Sequence, residues 1–401
     1  MLRTFLVKGF LLIFFVIQLS EPKVILVHSI FRHGERTTDT RFMYPNDPYR
    51  NKTFYPYGNG QLTNEGKITM FTLGKDIRNR YSELLGDTYL PNRYSELLGD
   101  TYLPEIVDAW ASSLSRTQAA LQLVLTAMFP PSGLLLWNED LKWQPIAYNC
   151  LPKEYDTLLL GLLLDNFIQS YNSYCKSNEA KNLMERAQPV LAYIRKHSGL
   201  QAYTPREFFF LYITLITEEH SGLKLPVWTK EVYPQPLADL IHLNFQLEMG
   251  TKELRRFLVG DMFKKILTDT ENAISGKSAT KIHLYSAHDV NVVYVLMFFD
   301  LMYKHAPGYG STVVIEVHEE AGDHFIQVHY KESKHTGFKI LPFPNEATQL
   351  HLTNFRNMVN DLFEKDVDMK LEENVMLSDA SSNFTVYMTY YQIILILFFL
   401  L

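Results

Sequence analysis

A chain of 401 residues, 47% of them hydrophobic, can bury a large core in one big domain or two, which excludes a disordered protein. Its formal net charge of −6 at pH 7, without a long block of lysine and arginine, disfavours a nucleic-acid-binding protein. The 26 phenylalanines and 24 tyrosines indicate a thick core rather than a stacking platform for bases.

Residues 1–20 have the layout of a secretory signal peptide. Arg3 and Lys8 precede an apolar stretch, and Ser20 suits the last position before a cleavage site. Gln18 is larger than the residue that such a site usually has two places earlier, so an uncleaved membrane anchor is the alternative. A signal peptide predicts a secreted or lumenal protein.

The first predicted strand covers residues 24–31, which are apolar and rich in β-branched side chains. The motif Arg-His-Gly-Glu-Arg follows at once, at residues 32–36. Arginine fits phosphate or carboxylate oxygens, histidine can act as a nucleophile, and glycine lets an anion approach the backbone. Ligands of open α/β sheets bind at the carboxyl ends of strands. By itself, the motif is equally compatible with an anion site and with a solvated charged turn.

Residues 39–60 are rich in Pro, Tyr, Asn and Asp and predict a long surface loop. This loop contains the glycosylation sequon Asn51-Lys-Thr. A helix is predicted to follow and to run to about Arg80, with Thr63 as its N-cap.

A sequence of 13 residues at 79–91 is repeated without change at 92–104. We expect one copy to join the helix to the next strand and the other to bulge outward, because two units are too few to stack as a solenoid. Residues 105–111 then predict the second strand, and residues 116–129 predict a helix with one apolar face. The candidate caps of this helix are Ser112, Ser113 and Ser115.

Residues 143–148 predict a short strand, and residues 150–262 are mainly helical with proline breaks. We interpret the second range as a helical cap domain that covers the site. Cys150 and Cys175 can form one disulfide in an oxidising compartment, worth about 3 kcal/mol for a loop of about 26 residues. The spacing of histidine and cysteine does not resemble a zinc ligand set, so no metal is expected.

The sheet resumes with a strand at 281–286, followed by Ala-His-Asp, and with a hairpin formed by residues 312–318 and 325–330. The predicted fold is therefore α/β, with a central mixed, mostly parallel sheet, an antiparallel edge and helices on both faces. We expect residues 21–149 and 263–370 to form this core.

The tail, residues 371–401, ends in nine strongly apolar residues, far short of the ~20 that span a bilayer. Small residues at 378–382 lie about ten positions upstream, which is the layout of a lipid-anchor signal. A short transmembrane end and an incidental apolar tail are the alternatives. A second sequon starts at Asn383, and anchoring at Ser381 or Ser382 would remove it.

Three predicted strand ends carry arginine, histidine and aspartate, a set that suits a phosphate ester. In these residues the chain resembles the histidine acid phosphatases, the prostatic, lysosomal and insect-venom branch of the histidine phosphatase superfamily. The motifs that carry the resemblance are residues 32–36, Gly60-Gln61-Leu62-Thr63 with Leu73-Gly74 and Arg80-Tyr81, Ser115-Arg116-Thr117, and Ser286-Ala287-His288-Asp289.

The resemblance implies that His33 is the nucleophile, which takes up the phosphoryl group, and that Asp289 protonates the leaving alcohol. It also implies a small phosphomonoester substrate and a homodimer, with no cofactor. Cations around His33 should lower its pKa by like-charge repulsion and keep it neutral in mild acid, while Asp289 must carry a proton. We therefore predict an acid pH optimum. The residues assigned to phosphate binding are Arg32, Arg36, Arg116 and His288.

Two positions depart from the family pattern. Thr38 replaces a usual proline, which we expect to loosen the loop, and residues 110–115 replace a run that resembles Arg-Ser-Thr-Asp. The alternative functions are a narrow-substrate relative, such as a phytase or a lysophosphatidate phosphatase, and a non-catalytic secreted anion-binding protein. His28 and His283 lie inside strands, and we expect them to be core histidines with satisfied hydrogen bonds.

Overall fold

The computed structural model describes residues 22–85, 102–201, 204–301 and 305–364. The predicted signal peptide, most of the duplicated sequence, the apolar tail and Asn383 lie outside these residues. Within the described part, no helix is both long and apolar enough to cross a bilayer.

Eight strands form one mixed sheet in the described part of the chain. Their order is β3-β2-β4-β1-β5-β6-β7, with β8 also paired to β6. Three strand pairings are parallel and four are antiparallel. The predicted mixed α/β sheet and the β5–β6 hairpin are therefore confirmed. The antiparallel part is larger than the predicted edge, because it extends from β1 through β5 and β6 to β7 and β8. The strands are β1 (Lys23–Arg32), β2 (Val107–Ala111), β3 (Asn149–Cys150), β4 (Ile282–Ala287), β5 (Thr312–Glu320), β6 (Asp323–Lys331), β7 (Lys339–Ile340) and β8 (Leu350–His351).

Helices cover both faces of this sheet. Alternate residues of β1 point to opposite faces, as the period of a strand requires. Val27 and Phe31 pack with α1 and α3, whereas Leu26 and Ile30 pack with α10, α11 and α12. The helices are α1 (Asn64–Arg80), α2 (Ser82–Leu85), α3 (Ser115–Met128), α4 (Asp165–Tyr174), α5 (Asn178–Glu185), α6 (Gln188–Ser198), α7 (Pro205–His220), α8 (Leu237–Glu248), α9 (Lys252–Arg255), α10 (Asp261–Ile274), α11 (Asp289–Phe298) and α12 (Leu352–Asp361).

The helical segment, residues 150–262 with helices α4 to α9, shares its apolar core with the α10–α11 face of the sheet. Its buried side chains, such as Phe208 and Phe245, belong to the same cluster as Tyr285 of β4. The boundaries of a separate cap domain at residues 150–262 therefore stay a prediction.

Two local predictions need correction. Residues 143–148 form no strand, and the edge strand is β3, because Pro145 cannot donate a hydrogen bond to a sheet. The N-cap position of α3 is Leu114, and no serine side chain caps this helix. By contrast, the predicted cap of α1 is confirmed, since the hydroxyl of Thr63 accepts a hydrogen bond from the Gly66 N–H at 3.1 Å.

The predicted disulfide is wrong. Both thiols are free in the structure: Cys150 is exposed and Cys175 is buried. Cys150 lies at the edge of the sheet, where its Sγ is 3.5 Å from the amide nitrogen of Gln118. Cys175 follows α4 and packs into the core of the helical segment. The two residues belong to different parts of the fold, so neither thiol meets the other.

Candidate active site

The register of the parallel strands brings the predicted site residues together. Arg32 at the end of β1 pairs with Ala287 of β4, and Ser286 pairs in turn with Ala111 of β2. The three strands thus end at the same level. Six predicted residues line one open cavity at this edge: Arg32, His33, Arg36, Arg116, His288 and Asp289.

His33 is buried at the floor of the cavity, with a ring whose hydrogen bonds define its tautomer. Its Nδ1 lies 2.8 Å from the carbonyl oxygen of Gly34, and a carbonyl can only accept a hydrogen bond. Nδ1 therefore carries the proton of the neutral ring. Nε2 accepts a hydrogen bond from the Nε of Arg116 at 3.1 Å. The unprotonated nitrogen of His33 is thus Nε2, which faces the cations.

Burial and charge both keep His33 neutral. Burial lowers its pKa well below the ordinary value of 6.5, and the positive charge of Arg116 lowers it further, followed by His288, Arg36 and Arg32. The sequence predicted the direction of this shift from like-charge repulsion alone. The structure adds that desolvation is the larger cause.

The three arginines are almost fully buried, and two of them have an unpartnered nitrogen. The Nε atoms of Arg32 and Arg36 have no hydrogen-bond acceptor in the described part of the chain. Burial, followed by the charge of Arg36, lowers the pKa of Arg116 to about 9. Buried donors without acceptors are costly, and an anion with several oxygens can satisfy them.

His288 and Asp289 stand at the start of α11, opposite the motif. The backbone N–H of His288 donates to the Asn291 side chain at 3.1 Å, which fixes the beginning of the helix. Burial and the charges of Arg116, Arg36 and Arg32 lower the pKa of His288 well below 6.5. The carboxylate of Asp289 lies 3.1 Å from Arg32 Nη2 and is only 15% exposed.

The loop of the motif is held against the N-terminus of α1. A Cβ atom on Gly34 would lie 2.2 Å from the carbonyl oxygen of Gly66, so the backbones approach too closely for any side chain. Glu35 connects α1 to the chain after β6. Its carboxylate accepts a hydrogen bond from the Thr69 hydroxyl of α1 at 2.8 Å and pairs with the Lys334 ammonium at 2.5 Å. The close approach of the two backbones explains why residues 34 and 66 are both glycines.

Thr38, where the pattern departs from the family, contacts the helical segment. Its side chain is fully buried, and its hydroxyl lies 3.0 Å from the hydroxyl of Thr217 on α7. The looser loop expected at this position stays a prediction. A hydrogen bond to the helical segment stands where a proline ring would stiffen the chain.

Four residues of the site were missed from the sequence. Tyr309 lies under the guanidinium of Arg32 at 4.2 Å from the ring centre, and the Pro307 carbonyl accepts from the same arginine. Asp39 lies 3.7 Å from Arg116 and belongs to the stretch predicted as a surface loop. Ser112, which was expected to cap α3, instead contacts His288 through its Oγ, 3.0 Å from Nε2. These residues belong to no periodic pattern, which explains why the sequence did not reveal them.

The wall of the cavity is apolar. It is formed by Leu114, by leucines 160, 162 and 163, and by Phe42, Phe209, Phe210 and Ile213. A second cavity borders Arg32 and Asp289 and is lined by more aromatic side chains, among them Tyr212 and Tyr309. Most of both walls comes from the helical segment, whereas the charged floor comes from the strand ends.

One group among the described residues has the composition of a metal site, and it lies away from this cavity. Ligand atoms of His28, His283 and Asp269 are all within 4.8 Å of one another. However, the Lys265 ammonium lies 2.9 Å from Asp269 and already supplies a positive charge. The two imidazoles stack nearly parallel, at an angle of 13°, so their lone pairs do not converge. His283 has satisfied hydrogen bonds as predicted, but His28 does not, because its Nε2 has no partner.

A family model and curated relatives match this chain. The model described as "Histidine phosphatase superfamily (branch 2)" matches residues 23–201. A venom acid phosphatase of Apis mellifera is 33% identical over 330 residues, which cover 81% of this chain and 79% of the relative. The prostatic acid phosphatase of Homo sapiens is 29% identical over 371 residues, covering 89% and 91% of the two chains.

Solved structures of phytases share the fold. A Hafnia alvei phytase in complex with tartrate aligns with a TM-score of 0.59 at 15% identity, over 85% of this chain and 97% of that chain. A Klebsiella phytase aligns with a TM-score of 0.57 at 14% identity, over 85% and 96% of the two chains. At this level of identity, the similarity concerns the fold alone.

Proposed function

The chain belongs to branch 2 of the histidine phosphatase superfamily, and from this premise we propose that it is an acid phosphatase with His33 as its nucleophile and Asp289 as its general acid. It is a phosphoric monoester hydrolase like the relatives that it matches. The observation that carries the assignment of His33 is its lone pair on Nε2, at the floor of a cavity lined by three guanidiniums.

In the first step, Nε2 of His33 attacks phosphorus. A P–N bond forms while the P–O bond to the alcohol breaks, and the bonding pair leaves with the alcohol oxygen. That oxygen takes the proton of the Asp289 carboxyl group and departs as a neutral alcohol. The imidazole can attack because burial and the neighbouring cations keep it unprotonated in mild acid.

In the second step, water attacks the phosphohistidine. The Asp289 carboxylate takes a proton from this water, the new P–O bond forms, and the electron pair of the P–N bond returns to Nε2. Throughout both steps, positive charge faces the three equatorial oxygens of the transferred group. The groups assigned to these oxygens are Arg32, Arg36, Arg116 and His288.

The cavity favours a monophosphate ester over an inositol polyphosphate. Among the described residues that line the two cavities there is no lysine, and the only arginines are the three around His33. A phytase substrate carries several phosphates and would need cations beyond this single cluster. The remainder of the wall is apolar and suits an ester whose alcohol is not itself charged. The helical segment at residues 150–262 supplies most of that wall, which supports the proposal that it acts as a cap.

We also propose that the protein is secreted or lumenal. This proposal rests on the signal-peptide pattern of residues 1–20 and on relatives named as venom, prostatic and lysosomal enzymes. Asn51 is exposed in the loop after the motif, which makes it the better candidate for glycosylation. Lipid anchoring through residues 378–382 and a homodimer remain predictions.

The test is the substitution His33→Ala with hydrolysis of an aryl phosphate at pH 5. We expect activity to be lost and the acid-labile phosphohistidine, trapped from the unchanged enzyme by a rapid alkaline quench, to disappear. His324→Ala is the matched control, because His324 lies at the far end of β6 and should leave both signals intact. Unchanged turnover by the His33→Ala enzyme would eliminate the proposed nucleophile.

A further inference from the structure

Two acidic side chains meet in the core between the loop after the motif and helix α7. Asp47 belongs to the loop and Glu218 to the last turn of α7, and the two carboxyl groups lie within hydrogen-bonding reach of each other. The loop also contacts this helix through Thr214, whose hydroxyl donates to the Phe42 carbonyl at 3.1 Å. Asp47 is only 6% exposed, Glu218 is 0% exposed, and the neighbouring Tyr44 is also 0% exposed. Carboxyl groups are seldom buried so deeply without a cation.

These side chains lack partners. Both carboxyl oxygens of Glu218, Oδ2 of Asp47 and the hydroxyl of Tyr44 have no hydrogen-bond partner in the described part of the chain. The remaining oxygen of Asp47 accepts from the backbone N–H of Tyr49 at 2.7 Å. The cluster therefore holds four buried oxygens with no donor assigned to them.

In the part of the chain that the structure describes, none of the basic side chains around the cluster pairs with either acid. The exposed guanidinium of Arg50 donates to the Tyr44 backbone carbonyl at 3.2 Å, not to a carboxyl group. Lys224 is exposed and contributes only its carbonyl, to the Tyr49 hydroxyl. The ring of His197 stacks on Trp228, while Glu219 and His220 lie on the exposed side of α7.

We propose that Asp47 and Glu218 share one proton, which bonds one carboxyl oxygen to the other and latches the loop to helix α7 in acid. The proton comes from solvent, and sharing it leaves one negative charge on the pair instead of two. A hydrogen bond between a carboxylic acid and a carboxylate is also among the stronger hydrogen bonds in proteins.

The pH dependence of this latch has a definite sign. Burial and then Asp47 raise the pKa of Glu218 from 4.5 to about 9. A carboxyl group whose pKa is higher in the folded protein binds its proton more tightly there. Its stabilisation is therefore complete below about pH 4.5, declines as the pH rises, and is lost near pH 9. The latch is closed under the conditions in which an acid phosphatase works.

The latch adjoins the phosphate site through one short connection. Thr217 precedes Glu218, and its hydroxyl is bonded to Thr38, two residues after Arg36. The same helix supplies Phe209 and Ile213 to the cavity wall. Loss of the shared proton would place two like charges in this junction and push the loop away from the helix.

The test measures thermal unfolding of the full chain at pH 5 and pH 8, for the wild type and for Glu218→Gln. Glutamine keeps the shape and a donor for Asp47 but does not titrate. We expect the loss of Tm between pH 5 and pH 8 to shrink by about 3 °C or more in the variant. Glu231→Gln, at an exposed position of the same helical segment, should leave that loss unchanged.

Infrared spectroscopy provides a readout that does not depend on activity or on the proposed mechanism. The wild type should retain a carboxylic-acid band at pH 7 that disappears in Glu218→Gln. Should this variant not fold, Asp47→Asn allows the same comparison. An equal pH dependence in wild type and variant, or no such band at pH 7, would overturn the proposal. So would a metal ion that copurifies in equal amount with the wild type and is absent from the variant.

Discussion

Arg32 and Asp289 form an ion pair on the floor of the cavity, with 3.1 Å between Nη2 and Oδ2. The pair joins the first residue of the motif, at the end of β1, to the first residue of the helix after β4. The guanidinium proposed to bind phosphate and the proposed acid are therefore in contact before substrate binds. Phosphate that binds to Arg32 must lie next to the carboxyl group that serves the leaving alcohol.

Replacement of the proposed acid should depend on the leaving group. Asp289→Asn should lower kcat/KM, which reports the step in which the alcohol leaves, by about 10²–10⁴-fold for an alkyl phosphate, the usual contribution of a general acid. The loss should be smaller for an aryl phosphate, because an acidic phenol leaves without a proton. Parallel kcat/KM measurements with both esters check this, with Asp140→Asn at an exposed loop position as the control. Equal losses for the two esters would contradict the assigned role.

Removal of Arg116 should change the pH profile as well as the rate. Arg116→Met removes a donor to the transferred group and should lower kcat/KM by about 10²–10³-fold. It also removes the largest charge effect on His33, so the pKa of His33 should rise towards its ordinary value. The acid limb of the kcat/KM profile should then move to higher pH.

The control for the pH profile of Arg116→Met is Arg116→Lys, which keeps the positive charge. This variant should retain the position of the acid limb although its rate is reduced. If Arg116→Met leaves the limb in place, the guanidinium does not help to keep His33 neutral.

Ser112 should act as a positioning residue for His288. Its buried hydroxyl contacts His288 at 3.0 Å and Thr117 at 2.8 Å. Ser112→Ala should reduce stability by about 1 kcal/mol and lower kcat/KM about tenfold, because the imidazole loses its orientation. Urea unfolding and steady-state kinetics measure the two effects. The control is Ser113→Ala, at a half-buried position, which should change neither quantity. If Ser112→Ala lowers stability without any kinetic effect, the role of Ser112 is purely structural.

The sequence by itself was sufficient to predict the strands, the helix cap and the site residues that local patterns encode. The apolar stretch before the motif predicted β1, and the His-Asp pair after a second such stretch predicted the end of β4. Because parallel strands end at one edge of a sheet, these local signals were enough to place His33, Arg116 and Asp289 at one site. Local patterns also predicted the hairpin of β5 and β6 and the N-cap Thr63.

Only the tertiary structure decided the features that depend on residues distant in the sequence. The tautomer of His33 follows from a carbonyl and a guanidinium that contact opposite sides of its ring. Cys150 and Cys175 are close in sequence but pack in different parts of the fold, which no spacing argument could reveal. Asp47 and Glu218 are ordinary acidic residues until folding buries both at one junction. Packing between distant parts of the chain determines which residues are buried, which are in contact and which charges interact. No short stretch of sequence encodes that packing.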